Sequence, residues 1–119
     1  MRKDVRVYIE YIMESIDLIE QYVSGMSKAD FLRSRQVQDS VIIRLETIGE
    51  ATKDIPPYVQ ELQTDIPWRK MAGMRDVLAH DYFGVNLNLV WSVVKKELPS
   101  VRQYLLTLME HLPDDSTGD

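Results

Sequence analysis

Apolar residues recur along this chain at alternating intervals of three and four positions, which is the period of an α-helix that packs one face against a core. The first run of such positions consists of Val5, Ile9, Ile12, Ile16, Ile19 and Val23. Asp4 is suited to cap this segment, because its carboxylate can accept from free backbone N–H groups of the first turn. Gly25 is suited to end it. The pattern predicts a first long helix between residues 4 and 25.

The middle of the chain repeats this period between clear start and stop signals. Residues 27–30 form an approximate capping box, which predicts a short helical turn. A second long helix is predicted over residues 34–54, and the consecutive prolines Pro56 and Pro57 end it. Its apolar stripe consists of Val37, Val41, Leu45, Ile48 and Ile55. A short helix is predicted to follow over residues 57–63.

Two further helical segments are predicted in the second half of the chain. One starts near Pro67, since proline suits the first helical position, and ends at Gly84. Asn86 can cap the other segment, whose stripe is Leu87, Trp91, Val94, Leu98, Val101, Leu105, Leu108 and Leu112. Pro99 lacks the N–H that would bond to the carbonyl of Lys95. Because the stripe keeps its phase through Pro99, we expect a kink with a continuous direction and not a break into two helices.

Strand signals are absent, so the predicted fold class is all-α: an up-down helical bundle of four to five helices. The 119 residues suffice for one domain, predicted at 1–112, followed by a flexible acidic tail at 113–119. No run approaches the roughly 20 apolar residues of a membrane span, and the N-terminus does not resemble a signal peptide. We therefore expect a soluble, cytoplasmic protein. With no cysteine, the chain has no thiolate nucleophile or metal ligand.

The acidic net charge counts against a role in nucleic-acid binding. The formal charge at pH 7 is −5, and Asp114, Asp115 and Asp119 of the tail supply three of the acidic groups. A tight, non-specific nucleic-acid binder carries a basic patch instead. Any action on RNA must therefore depend on a local site.

Candidate chemistry is concentrated in residues 75–82, which read RDVLAHDY. Histidine transfers protons near neutral pH, and arginine holds a phosphate with a rigid fork of donors. Arg75, His80 and Tyr82 thus form a set that metal-free phosphodiester chemistry can use. Asp76 lies four residues before His80, so its carboxylate would orient the imidazole and raise its pKa.

The helical register separates two of these residues. At about 100° per residue, Arg75 and His80 lie about 140° apart, so they do not converge on one phosphate from one helix. They would converge if two copies faced each other across a two-fold axis, which predicts a homodimer with a composite cleft. Small residues that permit such a close approach are Ala72, Gly73 and Ala79.

The same residues also have a purely structural interpretation. On spacing alone, a solvated Arg75 and a hydrogen-bonded structural His80 are the more frequent outcome. An Asp–His pair four residues apart is often only a helix contact, worth about 0.2–0.5 kcal/mol. A plain structural bundle, however, does not explain why the polar residues of this helix are segregated from the apolar ones. We interpret Trp68 and Trp91 as core or interface anchors.

The octapeptide resembles the R-x-x-x-x-H-x-Y signature of HepT-like toxins, a branch of the HEPN superfamily. The resemblance extends in order over about residues 1–112. The similar segments are MRKDVR at 1–6, QDSVI at 38–42, IGEA at 48–51, IPWR at 66–69, MAGMR at 71–75 and YFGV at 82–85. An ordered series of this kind is far more specific than eight residues alone.

The resemblance implies a set of functional properties. Such proteins are all-helical homodimers whose motif helices line a cleft, and many are metal-independent ribonucleases that act as toxins. Their usual partner is a minimal nucleotidyltransferase antitoxin, which can transfer AMP from ATP to the motif tyrosine. By position, Arg75 and His80 would be the catalytic pair, Asp76 a supporting residue and Tyr82 the AMP acceptor. No metal or cofactor is implied.

A second function remains open on the sequence. The chain would then be a non-catalytic interaction subunit that binds the nucleotidyltransferase and is modified by it, with the motif used for docking. The acidic charge slightly favours this alternative, whereas the intact Arg75, His80 and Tyr82 favour an endoribonuclease that acts on RNA.

Overall fold

The computed structural model of the protein describes residues 4–80 and 86–112. In the motif helix, only the backbone is described at four positions: Arg75, Val77, Ala79 and His80. Every regular element in these stretches is helical and none is a strand, which confirms the all-α fold class. The predicted helix end at Gly84, the candidate acceptor Tyr82 and the predicted tail at 113–119 lie outside the described residues.

The first helix, α1, spans Val5–Tyr22 and begins as predicted. Asp4 caps it, since its side chain accepts from the backbone N–H of Arg6 at 2.9 Å. The chain turns away at Gly25, whose φ of 75° is a left-handed conformation that glycine adopts without steric cost. The predicted stripe is confirmed: all its members are buried except Val5, which is half-buried.

Three helices occupy the middle of the chain: α2 (Lys28–Arg33), α3 (Arg35–Lys53) and α4 (Pro57–Gln60). The predicted capping box starts α2, because Ser27 and Asp30 each accept from the other's backbone N–H at 3.1 Å. Ser34 caps α3 by accepting from the N–H of Val37. The predicted stripe of α3 is confirmed, with Val37 half-buried and its other members buried.

The second half contains the motif helix α5 (Trp68–His80) and a long C-terminal helical stretch. That stretch consists of α6 (Leu87–Ser92), a π-helical segment (Val93–Glu97) and α7 (Leu98–His111). Asn86 caps α6 as predicted, by accepting from the N–H of Leu89. The stretch is helical from end to end, so no break occurs at Pro99.

The π-helical segment just before Pro99 was not predicted. Leu98 donates its N–H to the carbonyl of Val93, five residues back, which is the wider spacing of a π-helix. This turn ends directly before Pro99, which has no N–H to continue the regular ladder. Two buried residues of this stretch lie outside the predicted stripe: Val90 in α6 and Val93 at the start of the π-helical segment.

A single core lies between these helices. Helix α3 packs against both α1 and α5, while α1 also contacts α7 and α2 contacts α3 and α6. Arg102 of α7 donates to both carboxylate oxygens of Asp17 of α1, at 2.7 and 3.2 Å, and this contact raises the pKa of the arginine. Among the described helices, none is long and apolar enough to cross a membrane.

Candidate active site

The motif helix is held in place at its first residue. Trp68 is 7% exposed, and its indole Nε1 donates to the carbonyls of Gln60 and Gln63 at 3.2 and 3.0 Å. These carbonyls belong to the last residue of α4 and to the turn that follows it, so one buried side chain joins the end of α4 to the start of α5. The interpretation of Trp68 as a core anchor is confirmed.

One arc of α5 faces the core. Met71 and Leu78 are 9% and 3% exposed, and Met74 is half-buried. A cavity of about 40 Å³ lies beside this arc. Its lining comes from α3, α5, the π-helical segment and α7 and includes Leu45, Ile48, Met71, Met74, Val93 and Leu98. The apolar side predicted for the motif helix is thus the side that packs against the core.

The opposite arc of α5 is open in the single chain. Asp76 is exposed, and Ala72 and Gly73 are half-buried. Among the described residues, a Cβ atom built on Gly73 would meet no heavy atom within 4 Å outside its own helix backbone, so none of them requires a glycine there. In the helical register, position 80 lies on this arc, roughly opposite Met71 and Leu78.

Asp76 contacts a residue of a different helix. The Nζ atom of Lys53, the last residue of α3, donates to Oδ1 of Asp76 at 2.9 Å. The sequence predicts His80 as a partner of this carboxylate; that pairing stays a prediction, since only the backbone of His80 is described. Lys53 was not predicted, because it is 23 positions away from Asp76 and carries no local signal.

A second ion pair lies near the start of the motif helix. Lys70 of α5 contacts Glu97 at the end of the π-helical segment, with an Nζ–Oε1 distance of 3.3 Å.

Trp91 packs against Phe31 with ring centroids 5.2 Å apart, and Nζ of Lys95 lies 5.3 Å from the Trp91 centroid. Trp91 therefore packs between α6 and α2, in agreement with its predicted structural role.

No group of three or more His, Asp or Glu side chains within residues 4–80 and 86–112 is arranged to hold a metal ion. Charged groups described near the motif include those of Lys53, Lys70, Asp76 and Glu97. Groups of this kind can bind and position charged partners.

Comparison with known proteins agrees with this arrangement. The family model described as ribonuclease HepT-like matches residues 12–108. A "Probable ribonuclease HepT" of Thermococcus cleftensis is 44% identical over 102 residues, which cover 86% of this chain and 93% of that protein. An "mRNA nuclease HepT" of Shewanella oneidensis is 28% identical over 121 residues, covering 82% of this chain and 90% of that protein. No solved structure matches significantly.

A further relative is larger than this chain. The "Gamma-glutamylcyclotransferase and putative RNase" of Methanocaldococcus jannaschii is 48% identical over 112 residues, which cover 94% of this chain. The chain spans only half of that relative's length. The matched region thus corresponds to one part of a longer protein there.

An all-helical bundle whose sequence carries the R-x-x-x-x-H-x-Y motif, with positions 75 and 80 on one helix, is characteristic of the class of HEPN-like domains. Within that class, the chain belongs to the HepT-like ribonuclease family, as the match to residues 12–108 and the 44% identical relative show.

Proposed function

We propose that this protein is a metal-independent endoribonuclease and the toxin of a toxin–antitoxin pair. The observation that carries the proposal is the motif helix itself. It buries Met71 and Leu78 and leaves the arc that contains Asp76 open, within a chain that belongs to a ribonuclease family. Helix positions 75 and 80 are where the family signature has its arginine and histidine.

In the proposed reaction, His80 is the general base. It removes the proton from an RNA 2′-hydroxyl, and the 2′ oxygen attacks the adjacent phosphorus. The bond from phosphorus to the 5′ oxygen breaks, and that oxygen takes a proton from water. The products are a 2′,3′-cyclic phosphate and a 5′-hydroxyl end. The nucleophile is part of the substrate, so this route needs no metal-bound water.

Arg75 has the complementary role of stabilising the charge that develops on the phosphoryl oxygens. Positions 75 and 80 lie about 140° apart on one helix, so we propose that the two groups at each phosphate come from two copies of the chain. The open environment of Gly73 supports this arrangement, since a second copy of α5 can approach there without a clash.

Control of the activity would come from a nucleotidyltransferase antitoxin that transfers AMP to Tyr82. The added phosphate would pair with Arg75 and block it from RNA. A Tyr82→Phe variant should cleave RNA normally and should not be modified. Intact mass measured after incubation with the antitoxin and ATP checks this, and AMP found on the Phe variant would assign the modification to a different residue.

The second candidate function is a non-catalytic subunit that binds and is modified by the nucleotidyltransferase. The net charge of −5 favours it, because an acidic chain attracts RNA poorly. Toxicity in cells separates the two candidates. Toxicity that disappears with His80→Ala requires catalysis. A docking subunit has no catalytic activity, so this substitution would remove no toxicity.

The decisive experiment is cleavage of defined RNA by purified protein in EDTA, with intact mass confirming that Tyr82 is unmodified. His80→Ala, purified in parallel, controls for contaminating nucleases. We expect cleavage by the wild type only, with 2′,3′-cyclic phosphate ends. Absence of cleavage across varied RNAs would refute the ribonuclease, and 3′-hydroxyl products would refute attack by the 2′ oxygen.

A further inference from the structure

The contact between Lys53 and Asp76 joins the motif helix to the end of its neighbour, α3. The two charged atoms are 2.9 Å apart, and the side chains are 41% and 51% exposed. Asp76 directly follows Arg75 in the sequence, so the pair lies beside the proposed phosphate-binding residue.

Stability does not account for this ion pair. Exposed pairs of this kind contribute about 0–1 kcal/mol, because water screens the charges and two long side chains lose freedom. The packing of α3 against α5 already buries apolar side chains such as Leu45, Ile48 and Met71. Removing Lys53 would therefore change the fold very little.

The main consequence of the pair is electrostatic. A carboxylate one position after Arg75 repels a phosphate that approaches this part of the helix. Nζ of Lys53 lies close enough to cancel most of that field over the Debye length of about 8–10 Å. In a chain whose formal charge is −5, such local neutralisation decides whether RNA is attracted to the motif.

We infer that Lys53 is a positioning residue of the proposed ribonuclease site: it neutralises Asp76 beside Arg75 and thereby strengthens the binding of RNA phosphate. The inference rests on the proposed function and adds a residue outside the motif to it. Lys53 acts through Asp76, so its effect should depend on the carboxylate at position 76.

A double-mutant cycle tests this dependence. The variants are Lys53→Ala, Asp76→Asn and the double variant, each measured as the full chain at low salt. The probe is a fluorescent 2′-O-methyl oligoribonucleotide, which lacks the attacking hydroxyl and so reports binding alone. We expect Lys53→Ala to weaken binding about three- to tenfold in the wild-type background and less than about twofold in the Asp76→Asn background.

Kinetics on cleavable RNA provide the second readout. Lys53→Ala should raise KM by the same factor and leave kcat nearly unchanged, and Lys53→Arg should restore KM. High salt should abolish the difference, since it screens exposed charges. Arg33→Ala is the matched control. It removes one cation from an exposed carboxylate pair on α2. Helix α2 leads into the first residue of α3, and Lys53 is the last residue of α3, about 27 Å away along its axis.

Three results would overturn the inference. Equal weakening in both backgrounds would mean that Lys53 contacts RNA directly, and an unchanged affinity for Lys53→Ala would mean that it has no role. A lower melting temperature with unchanged KM would make the pair structural. Cleavage by the wild type without coupling rejects only this inference, whereas a wild type that neither binds nor cleaves RNA rejects the proposed function with it.

Discussion

Helices α1 and α5 both pack against α3, yet they differ in the residues that they bury and in those that they leave exposed. In α1, four isoleucines at positions 9, 12, 16 and 19 are 0% exposed. In α5, Trp68, Met71 and Leu78 are buried, while Asp76 is half exposed. Both helices have an exposed arc, but only that of α5 carries a residue of the sequence motif.

This difference shows how a small bundle supports a site. Each buried isoleucine of α1 contributes about 1.5–3 kcal/mol, so its apolar face contributes strongly to stability. Helix α5 is held by its buried residues Met71 and Leu78 and by the hydrogen bonds of the Trp68 indole at its first turn. These contacts lie away from the arc on which chemistry is proposed.

The largest expected effect is on catalysis. Arg75→Ala and His80→Ala should each lower kcat/KM for RNA by about 10²–10³-fold, because each removes a group that acts in the transition state. The free energy of unfolding should change by less than about 1 kcal/mol. Cleavage assays together with thermal melts check both statements. Strong destabilisation by either variant would show that the residue packs in the core, which would contradict the contrast between α1 and the exposed arc of α5.

The opposite behaviour is expected in α1. Ile16→Ala should lower the free energy of unfolding by about 2–5 kcal/mol, since it leaves a cavity in a fully buried position. The activity per folded molecule should not change. Urea denaturation measures the loss, and Ile43→Ala is the control because Ile43 is 54% exposed. Similar losses in the two variants would contradict the assignment of Ile16 to the core.

A smaller effect of opposite sign is expected at Gly73 on the open arc of α5. Gly73→Ala should stabilise the isolated chain by about 0.5–1 kcal/mol, because alanine favours the helix and the added methyl group meets no neighbour. Denaturation at low protein concentration measures this gain. A loss of stability that grows with protein concentration would instead show that a second copy packs on this arc.

The smallest effect concerns the capping box of α2, far from both α1 and α5. The backbone N–H of Ser27, followed by its hydroxyl, holds the pKa of Asp30 below the usual 3.8. A folded-state pKa below the unfolded value stabilises the fold above pH 3.8, and this contribution is lost as the pH falls through the folded pKa. Asp30→Asn should therefore melt slightly below the wild type at neutral pH and match it in strong acid. A gap independent of pH would exclude this linkage.

Much of the fold was predictable because its signals are local. The helix caps at Asp4, Ser27, Ser34 and Asn86 form with residues two or three positions away, so the sequence contains all the partners involved. The period of apolar residues predicted which faces are buried, because burial depends mainly on side-chain type and helical register.

The candidate site was predictable only in part. The motif and the family resemblance nominate Arg75, Asp76, His80 and Tyr82, and their roles stay predictions, although the family itself is shown by the match to residues 12–108. Lys53 was missed, because its contact with Asp76 depends on how two helices pack and not on their spacing along the chain. The π-helical segment before Pro99 was also missed, because the three-and-four spacing of the apolar stripe predicts a regular α-helix and carries no signal for a wider turn.

The sequence by itself determined the all-α class, most helix ends and the identity of the motif residues, since each follows from interactions within a few positions or from residue type. The tertiary structure decided which arc of α5 is left uncovered and where the C-terminal helical stretch contains a π turn. It also decided that Lys53, at the end of α3, contacts the carboxylate of Asp76. These features arise when segments that are distant in sequence pack together, and the free energy of that packing depends on all of the segments at once.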